Sequence, residues 1–405
     1  MKATQEQLQK SVCVLPWIHL NIWTDGRIIP CCINQETLFG HTQSDSVENA
    51  FNSATAVQFR KQMLSGELPE SCRRCKMPEQ ELGIESYRTA MNQKYPLDFE
   101  KILSGQYSEF ITDWNLKYLD VRYSNLCNFA CLTCDTTNSS GVAQEYKKIN
   151  RFDSNKSTVQ SAFNDPKEFY SFIEKNIHTL TEIYFCGGEP LLLKEHYEVL
   201  DLLIKHKKFD VELRYNTNLS HLNYQGYSVI DLWKHFSRVR VGASLDASHL
   251  RAEYMRKGTR WTQIEKNRET LLKDTPHVYF LIQPTVQLMN AFHLPNFHLE
   301  WIEKGFATTD TIFFNILTDP SFYALNILPQ SLKAKVEDHW RTYQQKIQGM
   351  GAHDFVIQQI DGVIHFLNTS ADSESLIKKF KSEIRIFDQL RTTQFNSVFT
   401  EFAEL

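Results

Sequence analysis

The sequence predicts an α/β protein: a partial (β/α)6 barrel, preceded by a small cysteine-rich module and followed by a helical extension. Three observations carry this. From about Leu116, short β-branched and aromatic runs alternate with longer helical patterns, the mark of parallel strands joined by right-handed crossovers. Five of the nine cysteines lie ahead of that alternation. Beyond about Pro320 the strand signal stops and amphipathic patterns rich in Lys and Glu take over.

The chain of 405 residues is long enough for a barrel of about 200 to 250 residues plus appendages. Hydrophobic residues at 42% and charged residues at 23% are ordinary globular values, which exclude a disordered or fibrous class. A formal net charge of -4 gives no overall positive field for nucleic acid, and none is expected as a partner. No stretch approaches a membrane span, and MKATQEQLQK lacks the apolar core of a signal peptide, so the expected location is the cytoplasm. An odd number of clustered cysteines in a reducing compartment points to metal ligation rather than disulfides.

The expected domains are 1–110, the cysteine module; 111–320, the barrel; and 321–405, the helical extension. In the first, Asp25-Gly26 between the runs 17–23 and 27–31 signals a hairpin. Residues 47–64 have helical spacing and end near Gly66 and Pro69. The barrel strands are predicted at 118–123, 182–186, 211–216, 239–245, 278–286 and 311–317. Ligands should gather at their C-terminal ends. In the extension, 332–347 and 374–390 read as helices.

The first strand runs into Cys127, Cys131 and Cys134, a C-x3-C-x2-C loop. Three thiolates this close can wrap one metal centre, and thiolates select zinc or iron-sulfur clusters. Structural zinc wants four protein ligands; no fourth Cys or His follows nearby, and Asp135 is a weak candidate. A cubane cluster held by three thiolates leaves one iron open for a ligand. Ahead of the barrel, Cys13, the pair Cys31-Cys32, and the C-x2-C knuckle of Cys72 and Cys75 offer a second set of four sulfurs. Spacing alone leaves zinc and iron-sulfur evenly matched there.

The cysteine loop after the first strand, followed in order by Gly187-Gly188-Glu189-Pro190 after the second, resembles the radical S-adenosylmethionine superfamily over residues 116–317. The resemblance implies that Cys127, Cys131 and Cys134 hold a 4Fe-4S cluster whose open iron chelates S-adenosyl-L-methionine (SAM). It also implies that Gly187, Gly188 and Glu189 receive the methionine amino group. Two glycines admit a close ligand, and a carboxylate can take an ammonium hydrogen. Asn216, Asn218, Ser244 and Asp246, at the ends of the third and fourth strands, fall where the family places ribose and carboxylate contacts. Arg256 resembles the arginine aimed at that carboxylate, and Phe129 an aromatic residue near the adenine. For each of these a turn or cap role stands beside ligand contact. Gln283–Gln287, on the fifth strand, is placed to reach the adenine, although Ile282 and Val286 fit a core role as well.

Cys13-x2-Pro16-Trp17, Asp25-Gly26, Pro30-Cys31-Cys32 and Cys72-x2-Cys75 resemble the auxiliary-cluster modules called SPASM and twitch, which usually follow the barrel rather than precede it. This implies a second 4Fe-4S cluster on Cys13, Cys31, Cys72 and Cys75. Cys31 is preferred because the family's ligand directly follows proline, which leaves Cys32 a spare thiol or a buried apolar residue. Cys186 is read as small core packing, and His19 and His41 as ordinary residues. The implied function is reductive cleavage of SAM followed by hydrogen abstraction from a substrate, a peptide or protein first and a small sugar, nucleoside or amino-acid derivative second. Reduced flavodoxin or ferredoxin is the expected electron donor. A zinc-stapled binding module without catalysis is the reading from another class.

Overall fold

The computed structural model describes residues 3–82, 85–403 and 405. The chain divides into two compact units: residues 1–126, 159–214 and 235–238 form the first, and 127–158, 215–234 and 239–405 the second. The fold is α/β, with the parallel strands of a partial barrel, an N-terminal cysteine-rich segment and C-terminal helices. Among the described residues no helix is long and apolar enough to cross a membrane.

In the first unit the strands Glu182–Phe185, Tyr118–Val121, His19–Ile22, Arg27–Ile29 and Gly40–His41 lie side by side in that order. The hairpin forms as its Asp-Gly turn predicts, with Gly26 at φ +91°, and Asn21 pairs with Ile29. Its first strand also pairs in parallel with Tyr118–Val121, Asn21 opposite Asp120. That strand pairs in turn with Glu182–Phe185, Asp120 opposite Tyr184. The cysteine module therefore supplies a strand to the sheet. The crossover from the first barrel strand to the second ends in the helix Pro166–Asn176, where Asp165 caps and Pro166 occupies the first turn.

The helical pattern over residues 47–64 resolves into two helices, Val47–Phe51 and Ala54–Leu64. Ser53 causes the break, because its hydroxyl accepts the Ala56 N–H and starts a new helix. Arg60, buried in the second helix, donates to the carbonyls of Pro16, Phe51 and Glu109. It ties the turn that follows Cys13 to its surroundings.

The strand Glu212–Thr217 begins in the first unit and ends in the second. In the second unit Arg240–Ala243 pairs in parallel with Tyr279–Ile282. The long run predicted over residues 278–286 is interrupted at Pro284, which has no N–H to give a ladder, and resumes at Thr285–Val286. The sixth strand shortens to Asn315–Ile316 with a bridge at Ile312. The extension contains three long helices, Gln330–Gly349, Asp354–Leu367 and Ser373–Arg391, and a short one, Phe395–Val398, among the described residues. Leu332, Val336, Trp340, Tyr343 and Ile347 form the buried stripe of the first, and the Trp340 indole donates to the Ala291 carbonyl at 2.7 Å.

Candidate iron-sulfur and SAM site

In the second unit the loop carrying Cys127, Cys131 and Cys134 is held by its own backbone and by three outside groups. Ser139 caps the helix Ser140–Lys148 and donates to the Phe129 carbonyl at 2.7 Å, while the Ser140 hydroxyl accepts the Cys127 N–H at 3.1 Å. A side chain at Gly141 would stand 2.5 Å from the Phe129 carbonyl oxygen, so glycine lets the helix start against the loop. Ala130–Cys131 pairs with Arg256–Lys257. Arg391, at the end of the last long helix, donates to the Ala130 carbonyl at 2.7 Å and pairs with Glu145 at 2.6 Å.

The three thiols share one electrostatic environment. Burial pushes the Cys134 thiol well up, and the charges of Cys131, Asp135 and Cys127 push it further. Burial raises Cys131 too, but Arg256 and Arg391 pull it down. The Phe129 N–H points at Cys127 Sγ at 3.4 Å, and an Arg256 N–H at Cys131 Sγ at 3.6 Å. Sheltered, mutually repelling thiols stay protonated unless a metal centre takes their charge. The donor set and its N–H contacts fit a cluster.

Arg256 and Asp246, each expected to contact SAM, pair with each other: the guanidinium grips the carboxylate at 2.8 and 2.9 Å, and Asp246 also accepts the Thr285 N–H. Asn218 binds Asn128 at 2.9 Å and accepts from Ser220. The Asn216 side chain and Gln283 lie against Gly242, where a Cβ would stand 2.9 Å from Asn216 Oδ1. Ser244 is half-buried, its N–H bonded to the Thr217 carbonyl. Phe129 is buried inside the cysteine loop, against Gly258.

In the first unit Gly187 and Gly188 fold against residues 122–126, which run directly into the cysteine loop. A Cβ on Gly188 would lie 2.2 Å from the Leu126 carbonyl oxygen, and Gly187 sits at φ +112°, so both positions demand glycine. Glu189, 1% exposed, accepts the Leu191 N–H at 3.1 Å.

The first unit also gathers Cys13, Cys31, Cys72 and Cys75. Burial pushes Cys13 well up, and Cys31, Cys72 and Cys75 add to it; Cys31 and Cys72 are each pushed up to about 12, by burial first. Each sulfur has an N–H or O–H directed at it: Leu15 N–H at Cys13, Ile33 and Asn34 N–H at Cys31, the Asn34 amide at Cys72, and Arg88 N–H with the Ser86 hydroxyl at Cys75. Asn92 clamps the backbone on both sides of Cys13 through the Val12 carbonyl and the Val14 N–H. Arg88 joins the Val12 carbonyl to Glu79. Four thiols with such donors fit a second cluster. Cys32 faces away, toward Asp120 and Arg122. Cys186 is buried, as its reading as small core packing expects, and its thiol also donates to Asp120 Oδ1 at 3.2 Å.

Residues 13–76 match the iron-sulfur cluster-binding SPASM domain, and residues 121–282 match the radical SAM superfamily. The chain carries a radical SAM domain and a SPASM domain. Those domains bring their cofactors: a 4Fe-4S cluster and SAM for one, an auxiliary iron-sulfur cluster for the other. Among solved structures, the chain is similar to native anSMEcpe with bound AdoMet and Cp18Cys peptide, at 17% identity and a TM-score of 0.40. It is also similar to native anSMEcpe with bound AdoMet, at 19% and 0.42. In both the match covers 58% of this chain and 62% of the other, so this chain spans less than two thirds of their length. TYW1 with a lysine-pyruvate adduct bound matches at 12% identity and a TM-score of 0.29, over 58% of this chain and 71% of that one. No curated protein matches the sequence.

Sequence reasoning missed Arg391, Glu145, Ser139 and Ser140. Only the serines left a signal, as an N-cap pair before a helical run.

Proposed function

We propose that Cys127, Cys131 and Cys134 hold the 4Fe-4S cluster, and that Cys13, Cys31, Cys72 and Cys75 hold a second 4Fe-4S cluster. The observation that carries the first is one short loop in which burial and the charges of Cys131 and Cys127 raise the Cys134 thiol, while Arg256 and Arg391 pull Cys131 down. Held by Cys127, Cys131 and Cys134, such a cluster would supply the single electron for reductive cleavage of SAM and so for hydrogen abstraction from a substrate C–H.

The chain's own groups bind and orient. Glu189 takes an ammonium hydrogen of the methionine, and Gly187 and Gly188 let backbone approach it. Asp246 holds the Arg256 guanidinium beside Cys131, where its charge favours the thiolate and attracts the methionine carboxylate. Asn216, Asn218 and Ser244 offer hydrogen bonds to the ribose, and Phe129 packs near the adenine. With Cys13, Cys31, Cys72 and Cys75 all as ligands, the second cluster would have no iron open to substrate and would serve to pass electrons. The proposed electron donor is reduced flavodoxin or ferredoxin. The proposed substrate is a peptide or protein, on the likeness of the auxiliary module to those of peptide-modifying enzymes.

Iron analysis tests the assignment. Anaerobic reconstitution should give about eight irons per chain, and replacing Cys127, Cys131 and Cys134 together by Ala should remove about half. An intact protein that stays near four irons per chain shows that the N-terminal cysteines hold no cluster.

A further inference from the structure

Alternate residues of a strand face one side. The parallel register of the first unit therefore aligns Asn21, Asp120 and Tyr184 in one row across three strands. Trp23, Arg122 and Cys186 form the next row toward the C-terminal ends. At the N-terminal ends of the same face the polar groups are well satisfied: Glu182 takes Lys94, Tyr95 and Arg214, at 2.6, 2.7 and 2.6 Å.

The two upper rows differ. Both polar atoms of the Asn21 amide, Oδ2 of Asp120, Nε of Arg122 and Nε1 of Trp23 are buried without a hydrogen-bond partner. Asn21 and Asp120 are 0% exposed. The Asn21 amide lies near enough to Asp120 to pull its carboxyl down against burial, yet makes no bond of normal geometry. The Arg122 guanidinium sits over the Trp23 ring at 4.2 Å, with Asp120 near enough to act on its charge but no contact ion pair among the described residues. Native proteins rarely leave one such group unsatisfied, and here five atoms from two adjacent strands face the same side. Strand C-terminal ends are also where α/β sheets take their ligands.

We propose that Asn21, Trp23, Asp120 and Arg122 bind the substrate through a carboxylate flanked by an N–H donor, the chemistry shared by a free amino acid and a C-terminal peptide residue. Three buried donors without an acceptor, Nε of Arg122, Nε1 of Trp23 and the Asn21 amide, call for an acceptor with several lone pairs, which a carboxylate supplies. Trp23 Nε1–H and the Asn21 amide N–H add donors to the same anion. Asp120 Oδ2 and Asn21 Oδ1 accept the ligand's N–H. Asn21 and Trp23 come from the cysteine-bearing segment and Asp120 and Arg122 from the first barrel strand, so the module contributes to substrate recognition as well as to cluster binding. The inference rests on the proposed function only in calling this ligand the substrate.

Binding is measured on the full, anaerobically reconstituted protein saturated with SAM and without reductant, so a free amino acid cannot take the cofactor's place and no turnover is needed. The probes are the standard L-amino acids, their N-acetyl derivatives and their α-amides, each at millimolar concentration, read by thermal shift and equilibrium dialysis. At least one acid should bind, with its α-amide weaker by about tenfold or more. Stronger binding of the free acid identifies an amino acid as the source, and stronger binding of the N-acetyl acid a peptide C-terminus. Arg122→Gln should abolish the preference for acid over amide, and the milder Asp120→Asn should weaken the acid severalfold. The proposal fails if no acid binds, if acids and amides bind alike, or if both variants bind as the wild type does. Loss of SAM cleavage would sink the proposed function and leave this binding result untouched.

Discussion

Replacing Arg391 by Met removes a charge that sits 261 residues from the carbonyl it holds, while keeping most of the side chain's volume. Arg391 and Glu145 are 4% and 5% exposed and meet at 2.6 Å. Breaking a buried pair by removing one partner costs about 3–5 kcal/mol. Glu145 keeps Lys257 at 2.8 Å, a half-exposed partner, which holds the cost at the low end. The Ala130 carbonyl loses its donor as well, and the sum is about 3 kcal/mol. At about 2–4 °C per kcal/mol for a unit of this size, the melting temperature should fall by about 6–12 °C. Calorimetry under argon measures it. Adding Glu145→Gln should cost little more, because the carboxylate has already lost its main partner. A fall below about 2 °C in the single variant would refute the claim that the C-terminal extension braces the cysteine loop.

Two further outcomes follow from particular contacts. Gly188→Ala should abolish SAM binding while the iron content of reconstituted protein stays near wild type, because the new Cβ meets the Leu126 carbonyl at 2.2 Å and only the loop can move; equilibrium dialysis against labelled SAM checks it, and normal affinity would mean the loop yields freely. His298 is held neutral by burial, with a folded pKa of about 4 against 6.5, so between those values the unfolded chain carries a proton that the folded chain lacks. Its contribution is complete above pH 6.5 and is lost as pH falls toward 4. Urea melts from pH 7 to 4 should show a slope of up to roughly 1.4 kcal/mol per pH unit from this group, and His298→Asn should flatten it.

What could be read from the sequence was what is local. Cys127, Cys131 and Cys134 lie within eight residues, and the glycine pair sits at a strand end, so spacing alone exposes both. Cys31 over Cys32 rested on the preceding proline, and the fold turns the two thiols toward different surroundings. What could not be read depends on partners far apart in the chain. An Asp-Gly turn announces an antiparallel hairpin, but nothing in 19–22 says that its outer edge will pair in parallel with Tyr118–Val121, and that pairing places Asn21 beside Asp120. The helix Asp354–Leu367 was missed because Val356, Ile357, Ile360, Val363 and Ile364 are β-branched and Gly362 interrupts them, so local propensity argued against the helical spacing. Ser53 and Pro284, by contrast, acted as local rules predict, and each shortened an element that hydrophobic pattern alone had made too long.

The central claim is that the loop of Cys127, Cys131 and Cys134 carries a cluster that cleaves SAM. Reduced with dithionite under strict anaerobiosis and given SAM alone, the reconstituted wild-type protein should release 5'-deoxyadenosine and methionine in equal amounts. Replacing Cys131 by Ala should reduce both to background while the four N-terminal cysteines keep their iron. Release of 5'-deoxyadenosine at the wild-type rate by the Cys131→Ala protein would contradict the account.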